Sequence, residues 1–274
     1  MPRVDELIEG FGRARFLTTL DLTKGYWQIP LSLRAREKTA FATPSGLYQF
    51  KVLPFGLHGA PATFQRLMDH ILRPHLMYAA AYLDDIVVFS FSWEEHLVHI
   101  AKVFQAIAGA GLTINPEKCL GAAKSIHYLG YTIEEGQIKP QISKVEAIQN
   151  IPIPSNKKEV RSFLGLVGYY RRFIPQFSEL ATPLTDLLKK GRSIGPKHWS
   201  SDEQRSFDLL KTALCQDPVL LCPDFTKMFT LQTDAPGYGL GAVLSQEDDT
   251  GAMRPVVFVS RKLLPREMNY APIE

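Results

Sequence analysis

The chain of 274 residues is predicted to be α+β: an antiparallel sheet with packed helices, then a helical region, then the start of a further domain of β character. Three observations predict this. Over residues 1–150, short β-branched and aromatic runs alternate with stretches whose apolar residues recur every three or four positions. Over 151–222 the helical spacing dominates, after the proline-punctuated linker IPIPSN (151–156). From 223 to 274 the pattern turns to strands.

Taken in order, FLTTLDLTKGYWQIPL (16–31) opens as a strand with Asp21 near its end and breaks at Lys24-Gly25. TAFATPSGLYQFKVLPFGL (39–57) reads as a hairpin around Pro44-Ser45-Gly46. APATFQRLMDHILRPHL (60–76) places Phe64, Leu67, Met68, Ile71 and Leu72 at helical spacing. In YLDDIVVFS (82–90) two apolar runs flank Asp84-Asp85, which predicts a tight hairpin with both aspartates at its tip. SWEEHLVHIAKVFQAIAGAGL (92–112) is an amphipathic helix with Ser92 and Glu95 as a capping box, and its His96 and His99 read as a solvated face without the further ligands zinc needs. IHYLGYTIEEGQIKP (126–140) predicts a hairpin turning at Glu135-Gly136.

Beyond the linker, SNKKEVRSFLGLVGYYRRFI is strongly helical, with Val160, Phe163, Leu164 and Val167 on one face. ELATPLTDLLKKG and SSDEQRSFDLLKTALC follow as helices, the second with a capping-box pair at Ser200 and Glu203. KMFTLQTDAPGYGLGAVLSQ and RPVVFVSRKL are strands separated by the polar turn EDDTGAM.

Composition narrows the function classes. With 45% hydrophobic and 22% charged residues the chain is globular, and a net charge of +3 does not by itself establish nucleic-acid binding. Cys119, Cys215 and Cys222 lack CxxC spacing, which argues against a disulfide framework or a zinc ribbon. No apolar run approaches the length of a membrane span and the start MPRVDELIEG is not a secretion signal, so a soluble, intracellular protein with no membrane partner is expected.

Asp21, Asp84 and Asp85 are the chemistry-bearing residues. Aspartate is a common turn residue, and an isolated pair would read that way. If the strand and the hairpin are sheet neighbours, three carboxylates meet, and such crowding calls for a cation. Hard oxygen donors suit Mg²⁺, and two such ions about 4 Å apart clamp the attacking and leaving oxygens of a phosphoryl displacement.

LDLTKGYWQIPL, LPFGLHGAPATFQRLM, YLDDIVVFS, AGLTINPEKC and YLGYTI stand in the order and approximate spacing of reverse transcriptase motifs, and resemble most those of gypsy-type LTR retrotransposons. FLGLVGYYRRFIPQFSELATPLTDLLKKG and FTLQTDAPGYGLGAVLSQ look like that family's thumb and connection region and the start of its RNase H domain. The resemblance implies a right-hand polymerase: a palm with partial fingers over 1–150, a helical thumb and connection over 151–222, and an RNase H-like beginning over 223–274. It implies RNA-directed DNA polymerisation, with an RNA or DNA template, a primer and dNTPs as partners and two Mg²⁺ ions as cofactors, Mn²⁺ being a substitute.

By the same resemblance Asp21, the Leu22 backbone and Asp84 hold metal, with Asp85 in support. Tyr26 is a steric gate against ribose, Phe55 and Gly56 line the nucleotide pocket, and Gln65 approaches the template. Tyr128, Leu129, Gly130 and Tyr131 form the primer grip, Lys118 is a proton donor to pyrophosphate, and Tyr169, Arg171 and Arg172 lie along the duplex. Asp234 matches the first RNase H metal ligand. Read without the resemblance, Tyr26 is a core aromatic, the glycines are turn residues, YLGY is a core strand, Lys118 is a surface lysine and Asp234 ends a strand. The resemblance places a basic fingers segment ahead of the first residue and a second RNase H carboxylate shortly beyond Glu274. Impaired triphosphate binding and no RNase H activity are therefore expected of this chain, and a template-primer-binding remnant without catalysis is the alternative.

Overall fold

The structure, a computed structural model, describes residues 1–192, 199–216, 218–235, 239–264 and 266–267. It divides into two compact units, one of residues 1–128 with 134–136, the other of 129–133 with the described residues from 137 onward. The division therefore falls within the hairpin region near Tyr128, ahead of the 151–156 linker where a boundary is expected from proline content.

In the first unit α1 (Val4–Glu9) leads into β1 (Phe16–Asp21). A 3-10 turn (Gly25–Gln28) follows, then α2 (Leu33–Glu37), the small hairpin β2 (Phe41–Thr43) and β3 (Gly46–Tyr48), and α3 (Ala60–Leu72). Next come β4 (Ala79–Tyr82), β5 (Asp85–Ser90), α4 (Trp93–Gly109), β6 (Leu120–Ala123) and β7 (Ser125–Tyr128). The central sheet has the order β4-β5-β1-β6, with β1 antiparallel to both neighbours.

Alternation along β1 and β5 divides this sheet into two faces. Leu20, Ile86 and Val88 pack with Phe64, Met68, Ile71 and Leu72 of α3 and Val103 and Ile107 of α4. Each of those three sheet residues is at most 2% exposed and contributes about 1.5–3 kcal/mol by its burial. The other face carries Leu17, Thr19 and Asp21 of β1 with Asp85, Val87 and Phe89 of β5. Phe11 seals the end of that face away from the aspartates, edge-on to Phe89 at 5.2 Å and to Tyr128 at 5.5 Å.

The second unit holds most of β8 (Tyr131–Glu134), then β9 (Gln137–Pro140), α5 (Ile142–Gln149), α6 (Lys157–Tyr169), α7 (Phe177–Leu180), α8 (Thr182–Leu187) and α9 (Ser201–Cys215). Strands β10 (Leu220–Leu221), β11 (Thr230–Asp234), β12 (Gly239–Glu247) and β13 (Met253–Lys262) follow. Strand β9 lies between β8 and β10, and β11, β12 and β13 form a separate antiparallel sheet in that order. The anticipated helix starts are capped: Ser92 accepts from the Glu95 amide, and Ser200 and Glu203 form the full reciprocal box. No helix among the described residues is long and apolar enough to cross a membrane.

Four local expectations are corrected. The hairpin tip between β4 and β5 is Leu83-Asp84, with Leu83 left-handed at φ 57°, and Asp85 is the first strand residue. YLGY is not a continuous strand: Leu129 and Gly130 have φ of 47° and 80°, the two consecutive left-handed residues of a two-residue turn between β7 and β8. Helix α6 ends at Tyr169, and Arg171 and Arg172 lie in a separate 3-10 turn. His96 is not on a solvated face but wholly buried, bonded through Nε2 to Thr18 Oγ1 at 2.8 Å and through Nδ1 to Ser90 Oγ at 2.9 Å. Helices α1, α2 and α5, of six, five and eight residues, were not anticipated, because runs so short show too little periodicity to stand out.

Candidate active site

Asp21 and Asp85 are directly opposed across the β1–β5 ladder, which puts both side chains on the face of the sheet away from α3 and α4. Asp84 sits beside them in the turn. The geometry follows from the strand ends: β1 stops at Asp21 because the chain turns at left-handed Lys24 (φ 52°) into the 3-10 segment. The main-chain oxygen of Asp21 accepts from the Asn115 amide at 2.9 Å, and Leu22, 1% exposed, bridges to Ile114, so only its backbone could serve as a ligand.

The same strap brings Lys118 to the site. Asn115 caps the 3-10 turn Pro116–Lys118, and Lys118 Nζ stands 3.6 Å from the Asp21 carboxylate. The carboxyl of Asp85 is held above the usual carboxylate range by partial desolvation, then by the charges of Asp84 and Asp21, with Lys118 drawing it back. Desolvation is the larger cause, and the two neighbouring carboxylates add to it in the same direction.

Gln65, expected to approach the template, is turned into the interior. It is 2% exposed, and its amide donates to Ala81 O at 3.0 Å and Asp69 Oδ1 at 2.8 Å while accepting from the Leu83 amide at 2.8 Å. Gln65 therefore satisfies main-chain groups near the end of strand β4 and at the left-handed residue before Asp84, a supporting role for the aspartate turn. Its position was readable: Gln65 stands three and seven residues before Met68 and Leu72, on the buried stripe of α3.

Tyr26, expected next to the nucleotide sugar, packs against Phe55 and Phe64 with ring centroids 5.4 and 5.2 Å away. Burial and then the Asp84 charge raise its phenol above the ordinary tyrosine value, which places it beside the aspartate turn. Phe55 is 64% exposed and free to meet a ligand, and Gly56 follows with φ 89°. Tyr128 is buried with its hydroxyl donating to the Asp85 carbonyl at 3.3 Å, and burial pushes that phenol strongly upward so that it stays a donor.

In the second unit, Tyr169 and Tyr170 donate to the carbonyls of Leu129 and Gly130 at 2.5 and 2.9 Å, and Tyr131 donates to Tyr169 O at 3.2 Å. The tyrosines thus brace the Leu129-Gly130 turn from behind. Arg171 donates to Ser260 O at 2.9 Å, and Arg172 is 5% exposed. Arg172 is accordingly corrected from a duplex contact to an interior residue. Asp234 ends edge strand β11, opposite Gly241 and exposed; the glycine-rich turn expected after it runs through 236–238, outside the described residues.

No group of three His, Cys, Asp or Glu among the described residues is gathered tightly enough to hold a metal ion as arranged. The donor chemistry nevertheless fits one: hard carboxylate oxygens from two adjoining strands share a face, and the exposed Lys118 offsets part of their charge.

A family described as reverse transcriptase (RNA-dependent DNA polymerase) matches residues 5–133, the span that holds all three aspartates. That span is reverse transcriptase-like. An RNase H-like domain found in reverse transcriptase matches residues 199–274, beginning ahead of the boundary expected at 223 and taking in α9 and β10. The whole chain is 45% identical to part of the retrovirus-related Pol polyprotein from transposon 297 and 40% identical to part of that from transposon gypsy, both of Drosophila melanogaster. It spans 25% and 27% of their respective lengths. A foamy viral protease-reverse transcriptase, solved in complex with an RNA/DNA hybrid, aligns with 99% of this chain at 25% identity and a TM-score of 0.84, over 36% of that protein. Reverse transcriptases in general use divalent metal ions.

Proposed function

We propose that this chain is the polymerase-bearing portion of a gypsy-like retrotransposon polyprotein and that its first unit transfers deoxynucleotides to a primer 3′-hydroxyl under the direction of an RNA or DNA template. The observation that supports this most is the pairing of Asp21 with Asp85 on the open face of the sheet, with Asp84 adjoining in the turn. Asp21, the Leu22 carbonyl, Asp84 and Asp85 would hold two Mg²⁺ ions, or Mn²⁺ in their place. Those ions, when bound, would neutralise phosphate charge and acidify the attacking hydroxyl.

The chain's own residues supply the rest. Asp84 in the turn and Asp85 at the start of β5 are carried on backbone that Gln65 and Tyr128 hold, so the carboxylates are positioned before a substrate arrives. Tyr26 and the exposed Phe55 offer an aromatic wall beside Asp84 for the sugar and base of a dNTP. Lys118 stands next to Asp21, where it could give a proton to departing pyrophosphate. The tyrosine-braced turn at Leu129-Gly130 is the segment assigned to the primer. The polyprotein's RNase H activity is assigned to the domain to which Asp234 belongs. Its site of action is inside the cell, in a cytoplasmic particle or the nucleus.

The test is primer extension by the purified chain on an RNA template with a DNA primer and Mg²⁺, beside Asp84→Asn and Asp85→Asn. Extension abolished in both variants supports the reading. Salt-sensitive template-primer binding without extension, indifferent to the two substitutions, would replace it with the non-catalytic one.

A further inference from the structure

The 3-10 turn that carries Tyr26 is only four residues long, and the backbone bonds at its two ends run from Trp27 N–H to Lys24 O at 2.8 Å and from Ile29 N–H to Tyr26 O at 3.1 Å. So short a 3-10 segment holds itself weakly. Beyond it the chain is held by the Leu53 amide, which donates to Ile29 O at 2.9 Å, and within it the anchor is the side chain of its last residue. Gln28 Nε2 donates to Thr23 O at 2.7 Å and to Thr113 O at 3.0 Å, and the Thr113 amide donates to Gln28 Oε1 at 2.6 Å. Both amide protons and the carbonyl are used, so the ring of contacts fixes the side chain in one amide orientation.

These partners tie the turn to the frame of the site. Thr23 lies two residues past Asp21, and its own amide donates to Thr113 O at 3.0 Å. Thr113 leads to Asn115, whose amide holds the Asp21 carbonyl, and then to Lys118. Gln28 thus spans from the segment after Asp21 to the irregular strap that leads to Lys118, with Tyr26 held in the arc between. On the opposite side Tyr26 meets Phe55 and Phe64, whose rings set a slot without a polar contact to fix its depth.

We propose that Gln28 is the positioning residue for sugar selection: by locking the turn to Thr23 and Thr113 it sets how far the Tyr26 ring projects beneath the nucleotide sugar, and so the room left for a 2′-hydroxyl. The proposal rests on the reading of Tyr26 as the sugar-facing residue of a polymerase. Exclusion by contact is sensitive to displacements well below 1 Å, which is why a second residue is needed to hold the first. Gln28→Met keeps size and removes all three bonds. Gln28→Glu keeps the acceptor for Thr113 N–H and turns an oxygen toward two carbonyls.

The experiment compares single-nucleotide incorporation of dNTP and rNTP by the full chain and its Gln28→Met, Gln28→Glu and Tyr26→Ala variants, together with amide hydrogen exchange. Both Gln28 variants are expected to lower the dNTP-to-rNTP ratio of kcat/KM about fivefold, on the scale of one net hydrogen bond lost at a half-buried site, chiefly through a lower KM for rNTP. A purely structural residue would depress both nucleotides alike and leave the ratio unchanged, and that result overturns the proposal. If Tyr26→Ala leaves the ratio unchanged, the reading of Tyr26 fails instead. Should the wild type incorporate neither nucleotide, the exchange measurement decides: loss of protection at Thr113, Trp27 and Ile29 in Gln28→Met supports the anchoring role, and retained protection at Trp27 and Ile29 refutes it.

Discussion

A Cβ built on Gly25 would stand 3.2 Å from the Cβ of Asp84 and 3.1 Å from the ring of Phe64. The glycine next to Tyr26 is therefore in close approach to the aspartate turn, and a methyl group there would press on Asp84 and Phe64 by a few tenths of an ångström. Gly25→Ala should shift Asp84 more than it unfolds the protein. Overpacking of this kind costs about 1–3 kcal/mol. We expect primer extension to fall at least about tenfold, with a drop in Tm of only a few degrees. Full activity in Gly25→Ala would show that the turn yields freely.

Gln65 satisfies a buried carbonyl at Ala81 and a half-buried amide at Leu83. Gln65→Leu leaves both unpaired, at about 1–3 kcal/mol for each group. Urea denaturation should register the loss, and extension should fall with it because Leu83 precedes Asp84. A Gln65→Leu protein that keeps wild-type stability but loses template affinity would restore the template-facing role.

Burial, and then the neighbouring His99, hold His96 below its ordinary value of 6.5. A histidine more acidic in the folded state gives its stability above the unfolded value and loses it as pH falls through 6.5 toward the folded value. His99, lowered by burial, adds in the same sense. The urea midpoint should therefore decline as pH drops from about 7 to 5, and His96→Gln should flatten that decline. Parallel curves for the two proteins would show that other groups set the acid limit.

Interior placement gives Arg172 a different signature from a phosphate contact. Arg172→Leu is expected to lower Tm while leaving the slope of log affinity for template-primer against log salt unchanged. An arginine on the phosphates would instead reduce that slope by about one. A reduced slope at unaltered Tm would return Arg172 to the duplex.

Much of the first unit was legible because its elements are long and clearly periodic: β1, β5, α3 and α4 all lie where alternation or three-and-four spacing puts them. The three aspartates were legible as a set because their flanking motifs fix them on neighbouring strands. What stayed hidden is the polar interior. Gln65 and His96 look like surface residues by type, and only their phase betrays them: His96 stands seven and eleven residues before Val103 and Ile107, the buried positions of α4. Arg171 and Arg172 were misplaced because a helical pattern does not show where α6 gives way to a 3-10 turn. The Leu83-Asp84 tip was misjudged by one residue, since Leu is a poor candidate for φ 57° and is held there by Gln65.

The opposition of Asp21 and Asp85 has a consequence for how this sequence can change over generations. Neighbouring strand residues face opposite ways, so a single inserted or deleted codon between Leu17 and Asp21 would turn the carboxylate toward the helices and bring an apolar residue to the open face. Two inserted codons would restore its direction, though not its partner. In β1 and β5, length is thus under tighter control than identity. A frame-preserving one-residue insertion there should be more damaging than most single substitutions, whereas the same insertion in the exposed turn at Pro44-Ser45 should pass almost unnoticed.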